Sequence, residues 1–115
     1  MNKMISILLC LVIIGAVSIA YAHPPSDIKI TYDPATKILQ AVIYHNVSDP
    51  AKHHIKKVDV GLNGQEILTQ QISCQDNNST QTVSYLIPDA KSADTLSVEA
   101  YCSISGKLEK EITVE

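Results

Sequence analysis

Past residue 26 the apolar residues of this chain recur with a period of two, a spacing that restricts it to strands with one face in a core. Ile28, Ile30 and Tyr32 alternate first. Asp33-Pro34-Ala35-Thr36 then predicts a turn, because Pro34 presets the backbone angle that a turn wants beside Asp. A second strand is expected from Lys37 to about Tyr44, and a third from Ile55 to Leu62 through Val58 and Val60. Asn63-Gly64 is a two-residue hairpin signal, since both residues tolerate positive φ. The chain returns over Glu66 to Ser73, and the polar run Gln75-Asp76-Asn77-Asn78-Ser79-Thr80 reads as an unburied loop. Thr82 to Ile87, Thr95 to Ile104 and Leu108 to Val114 supply three more strands. Leu96, Val98, Ala100 and Cys102 share one face, Ile112 and Val114 point inward, and Ser105-Gly106 turns the chain. Seven short strands with no segment of helical period predict an all-β fold, a seven-stranded antiparallel immunoglobulin-like β-sandwich.

The start of the chain follows a different rule. Lys3 is followed by an apolar run from Met4 to Ala20 and then by Ala20-Tyr21-Ala22, the pattern of a secretory signal peptide over residues 1–22, cleaved after Ala22. Ser6, Gly15 and Ser18 interrupt the run, which is shorter than the roughly 20 residues of a spanning helix, so no stable membrane span is expected after cleavage. The expected product is one domain over residues 23–115, periplasmic or secreted.

A formal net charge of −3 gives no basis for binding nucleic acid, which needs a concentrated basic surface. Lys52, Lys56 and Lys57 cluster around His53 and His54, as a solvated surface or as an attractor for a small anion. No nucleophile with a base, phosphate-binding glycine loop or pair of catalytic carboxylates stands out, which leaves hydrolase and nucleotide chemistry without support. Once Cys10 departs with the signal, Cys74 and Cys102 remain. Two cysteines in an exported protein pair by default. A sulfur so paired cannot serve as a thiolate ligand, and both readings stay open here.

Counting strands places the polar residues. If each strand reverses the one before, His45 ends the second strand at the same end of the sandwich where His53 precedes the third and His23 precedes the first. The fourth and sixth strands finish there too, near Cys74 and at Cys102. Imidazoles and a thiolate gathered in this way suit iron, copper or zinc, and are poorly matched to calcium or magnesium.

At this point the residues resemble a family. Ile43-Tyr-His-Asn-Val-Ser-Asp-Pro-Ala-Lys-His-His-Ile-Lys-Lys-Val-Asp-Val-Gly-Leu62 is similar to the stretch of desulfoferrodoxins and superoxide reductases in which a first histidine is followed by His-Tyr-Ile or His-His-Ile and a strand. Ala100-Tyr-Cys-Ser-Ile-Ser-Gly106 resembles that family's Tyr-Cys-Asn-x-His-Gly loop, and His23-Pro24-Pro25 sits where its members carry His-Val-Pro. The likeness spans essentially all of residues 23–115. It implies a mononuclear non-haem iron, Fe(II) cycling to Fe(III), held by equatorial histidines and an axial cysteine, with an open position for superoxide.

Carried over by position, His23, His45 and His53 would be equatorial ligands and Cys102 the axial one. The family's fourth histidine falls on Ser105, and its charged Glu or Lys ahead of the first histidine falls on Tyr21, inside the expected signal. The motif favours His53 over its neighbour His54, whose side chain on a strand start points the other way. The implied partners are superoxide or another small anion and an electron donor of unknown identity. Copper or zinc is the alternative ion. Cleavage after Ala22 would leave His23 with a free amine beside its ring, and with a second histidine this makes a copper-binding brace like that of some secreted β-sandwich proteins. The remaining alternative is a structural exported β-sandwich with a Cys74–Cys102 disulfide.

Overall fold

Seven antiparallel strands make up the described residues: β1 (Asp27–Asp33), β2 (Ile38–Tyr44), β3 (Ile55–Leu62), β4 (Gln65–Gln71), β5 (Thr80–Leu86), β6 (Thr95–Cys102) and β7 (Lys107–Thr113). They form a three-stranded sheet in the order β1-β2-β5 and a four-stranded sheet in the order β4-β3-β6-β7. This is a computed structural model that describes residues 23–115; the expected signal peptide at 1–22, with Cys10 and Tyr21, lies outside the described residues. Among the described residues no helix is long and apolar enough to cross a membrane.

The expected β-sandwich is what forms, because the alternating apolar residues of both sheets meet between them. Leu39, Ala41 and Ile43 of β2, Val83 of β5, Val58 and Val60 of β3 and Leu96, Val98 and Ala100 of β6 make one buried cluster, closed by Ile28, Ile55, Ile87 and Val114. In β6 buried and half-buried residues alternate without a break from Thr95 to Cys102, so Cys102 is the last inward side chain of that strand. The Tyr32 hydroxyl of β1 reaches past β2 to the end of β5 in the same sheet, donating to the Ile87 carbonyl at 2.8 Å.

Several strand limits differ from those expected. β2 starts at Ile38 because Lys37, with φ of 62°, closes the preceding turn in the left-handed region. That turn is fixed by the Lys37 amide donating to the Asp33 carbonyl at 2.7 Å and by the Ala35 amide donating to the Asp33 carboxylate at 2.9 Å. β4 stops at Gln71 and β6 at Cys102, where the chain bends; the Cys102 amide donates to the Gly106 carbonyl at 2.9 Å. β7 runs from Lys107 to Thr113, one residue ahead of the expected span, since its pairing with β6 already begins at Tyr101↔Lys107.

The run from Gln75 to Thr80 departs further from expectation. Gln75 is 3 % exposed, and β5 begins at Thr80 so that Gln81, 6 % exposed, faces inward. Burial is tolerated because the polar atoms are matched. The Gln81 side-chain amide donates to Asp76 at 3.1 Å and its oxygen accepts from the Asp76 amide at 3.0 Å.

Two irregularities interrupt the pairing of β3 with its neighbours. Val60 pairs with Leu68 and Gly61 with Glu66, which leaves Ile67 of β4 as the extra residue just after the Asn63-Gly64 turn, where both residues have positive φ as expected. At the other end Ile55 pairs with Cys102 but Lys57 with Tyr101, so Lys56 is a bulge. The extra residue lets Ile55 and Val58, three apart, both enter the core.

Candidate metal centre

The end of the sandwich beyond the Lys56 bulge holds the candidate site. His45 follows β2 directly, and its amide donates to the Ser79 carbonyl at 2.9 Å, which ties it to the segment entering β5. His53 closes the Asp49-Pro50 turn, its amide donating to the Asp49 carbonyl at 2.9 Å. His23 is held in front of β1 by its neighbours: the Ser26 amide donates to the Tyr44 carbonyl at 2.8 Å, and Pro24 lies against Gly106. A Cβ on Gly106 would stand 3.0 Å from that of Pro24, so the glycine lets the turn after β6 approach the His23 segment without displacing it.

These three elements bring the imidazoles together. Ring centroids are 5.0 Å apart for His23 and His45, 5.2 Å for His23 and His53, and 4.8 Å for His45 and His53. One nitrogen from each ring lies within 4.8 Å of the others, and the three histidines could hold a metal ion. The nitrogens of neighbouring ligands on one ion stand roughly 3 to 3.4 Å apart for metal–nitrogen bonds of about 2.0–2.1 Å. His23 is the exposed member of the group, whereas His45 is 1 % exposed.

Cys102 meets this group through His53, whose Nε2 is 3.1 Å from Sγ. Both cysteines are free: Cys74 is exposed and Cys102 buried, so the disulfide alternative is not formed. Three imidazoles with a thiol alongside fit a borderline or soft transition ion better than a hard cation. Burial, then repulsion from the His45, His23 and His54 rings, holds the His53 ring below the ordinary histidine pKa. That shift favours the neutral, ligating form.

The other residues of the matched motifs lie elsewhere. His54 turns away from the group; its Nε2 donates to the Ile72 carbonyl at 3.0 Å, and its Nδ1 is buried without a hydrogen-bond partner. Its backbone is paired with Ser103, whose hydroxyl accepts from the His54 amide at 3.0 Å. Tyr101 faces outward, hydrogen-bonded to Glu99, with the Lys57 ammonium 4.2 Å from its ring centre. Lys57 also pairs with Asp59 at 3.5 Å, so of the three clustered lysines Lys52 and Lys56 are the exposed ones. Ser105, which the resemblance would set at a fourth ligand position, is exposed in the bend after β6.

Sequence reasoning missed Gln75. Its side chain reaches under the site, accepting from the Ile55 amide at 3.2 Å and donating to the carbonyls of His45 at 2.8 Å and Asn77 at 2.9 Å. Its Oε1 lies 2.9 Å from His45 Nδ1. No periodicity marks a lone glutamine in a polar run; only the spacing of Gln81, Val83 and Tyr85 hinted that ordered structure starts earlier than Thr82.

Comparison with protein-family models, with curated proteins and with solved structures finds no match to this chain, so its functional reading rests on the residues and their geometry.

Proposed function

We propose that this is an exported, mononuclear metal protein of the desulfoferrodoxin and superoxide reductase type, with iron held by His23, His45, His53 and the Cys102 thiolate. The convergence of three imidazoles from separate segments carries this reading, with a buried sulfur 3.1 Å from one of them. Export is supported by Lys3, the apolar run to Ala20 and Ala20-Tyr21-Ala22. Bound there, ferrous iron would supply the single electron that, with two protons from solvent, turns superoxide into hydrogen peroxide, and an external donor would restore it.

The chain's own contribution is to hold and dry the ligands. Cys102 ends the inward row of β6, where the core shields its sulfur, while the exposed His23 leaves one side of the group open to a small anion. Lys52 and Lys56 lie near His53 in the chain and add positive charge at that end. Anaerobic loading of the exported protein with ferrous iron, followed by oxidation, tests the assignment. A thiolate-to-iron absorption band that disappears in Cys102→Ser is expected; a colourless oxidised protein with iron bound would contradict thiolate ligation.

A second reading has one observation in its favour. With an exposed Ser105 where a fourth imidazole would stand, three histidines and a thiolate match the four-coordinate set that zinc prefers, and copper also accepts it. The protein would then store or carry the ion without turnover. Superoxide consumption by the iron-loaded protein with a reductant present separates the readings: turnover favours the first, and its absence in protein that binds zinc or copper at the same residues favours the second.

A further inference from the structure

We infer that Gln75 is a positioning residue of the metal centre, locking the His45 imidazole in the tautomer that presents the Nε2 lone pair to an ion; this rests on the metal-binding reading above. The argument begins with the amide itself. Its Nε2 donates to two carbonyl oxygens, His45 at 2.8 Å and Asn77 at 2.9 Å. Turning the amide over would set its oxygen against both carbonyls and its NH2 against the Ile55 amide, so the orientation is determined by the backbone around it.

With the amide fixed, Oε1 faces His45 Nδ1 at 2.9 Å. An amide oxygen can only accept, so Nδ1 carries the hydrogen. A neutral imidazole has one N–H, which leaves Nε2 with its lone pair. The same Nε2 lies 3.3 Å from the carbonyl oxygen of His23, and two lone pairs facing each other at that distance repel unless a positive charge stands beside them. The opposite tautomer would relieve this longer, partly exposed contact at the expense of the shorter, fully buried one to Gln75. Burial decides between them, since an unmatched polar pair costs most where water cannot reach.

Gln75 also fixes backbone on both sides of the site. One amide joins the end of β2 at His45, the Asn77 segment and the start of β3 at Ile55, two residues after His53. Groups that hold the far nitrogen of a ligating histidine set its orientation and the basicity of its metal-facing nitrogen, an effect on the order of 10- to 100-fold in metal affinity.

Two measurements on the same proteins test this. The first is a long-range proton–nitrogen NMR correlation on metal-free protein at about pH 8, above the ordinary range of histidine titration; the second is titration with zinc. In the wild type His45 is expected to show the Nδ1–H pattern. Gln75→Met, of similar length but unable to accept that bond, should lose the pure pattern and bind zinc about 10- to 100-fold more weakly. A wild-type His45 in the Nε2–H form, or Gln75→Met with unchanged zinc affinity, overturns the inference. Should Gln75→Met fail to fold, the wild-type spectrum decides: the Nδ1–H pattern supports the inference and the Nε2–H pattern overturns it. A wild type that shows the Nδ1–H pattern but binds no zinc, copper or iron would defeat the metal-binding reading instead, so the two failures are distinct.

Discussion

His53 Nε2 and Cys102 Sγ lie 3.1 Å apart although 49 positions separate them in the chain. The contact follows from the pairing of Ile55 with Cys102 at the end of β3 and β6, and from the bulge at Lys56 that resets the facing of the residues before it. It places a buried thiol against an imidazole at the end of the sandwich where His23 and His45 also gather.

The two thiols should therefore differ sharply in reactivity. Cys74 is exposed and Cys102 is 3 % exposed, so brief alkylation of the native protein should modify one sulfur, with the second reacting only on unfolding. Bound metal should slow the second further. Mass spectrometry of peptides checks this; equal labelling of both, or the mass of a disulfide, would contradict the free, unequal pair.

Ligand substitutions should separate metal affinity from stability. His45→Ala strips the buried Gln75 oxygen of its ring partner and should cost roughly 1–3 kcal/mol in urea unfolding with a chelator present. His23→Ala, on an exposed segment, should change stability by no more than about 0.5 kcal/mol. Both should weaken metal binding. A His23→Ala protein that unfolds as easily as His45→Ala would mean that the N-terminal segment serves the fold rather than the site.

Acid should act through His53. Its pKa is lowered in the folded protein, by burial first and then by the neighbouring rings, from an ordinary value of about 6.5. Above that value neither state is protonated and the ring contributes nothing to the pH dependence. As pH falls below it the unfolded chain takes up the proton first, so stability declines until the lower, folded value is reached. Metal competes with the proton for the folded ring, so it should leave only as pH falls through and below that lower, folded value. Urea unfolding of metal-free protein at a series of pH values checks the sign, and His53→Gln should flatten the dependence there.

How much of this was legible in the sequence depends on which residues spoke through periodicity. The seven strands and their inward rows follow from alternation such as Leu96, Val98, Ala100 and Cys102, and reversal of successive strands was enough to bring His23, His45, His53 and Cys102 to one end. The bulge was written as a violation of that alternation, Ile55 to Val58 being three apart, but a single odd spacing does not say where the extra residue goes. Gln75 was illegible because its burial is set by the carbonyls of His45 and Asn77 and the amide of Ile55, which only the folded chain assembles. The left-handed Lys37 is hidden for a similar reason: the Asp33-Pro34-Ala35-Thr36 pattern stops before it, and the hydrogen bond to Asp33 extends the turn by one residue.

Glycine substitutions give an independent check on how His23 is held. Gly106, with φ of 89°, faces Pro24, and a Cβ there would stand 3.0–3.2 Å from that proline's atoms. Gly64, with φ of 82°, has nothing within 4 Å of the same position. Gly64→Ala and Gly106→Ala should each lose roughly 1–2 kcal/mol from backbone strain. Only Gly106→Ala should also weaken metal binding, by displacing the residue next to His23; a zinc titration of both variants reads the difference.

The most direct measurement is the metal content of the protein isolated from its own cells without added ions or chelators. One transition ion per chain is predicted, absent from His45→Ala and His53→Ala proteins prepared in the same way. A folded wild type that comes out metal-free and takes up no iron, copper or zinc on titration would contradict the account.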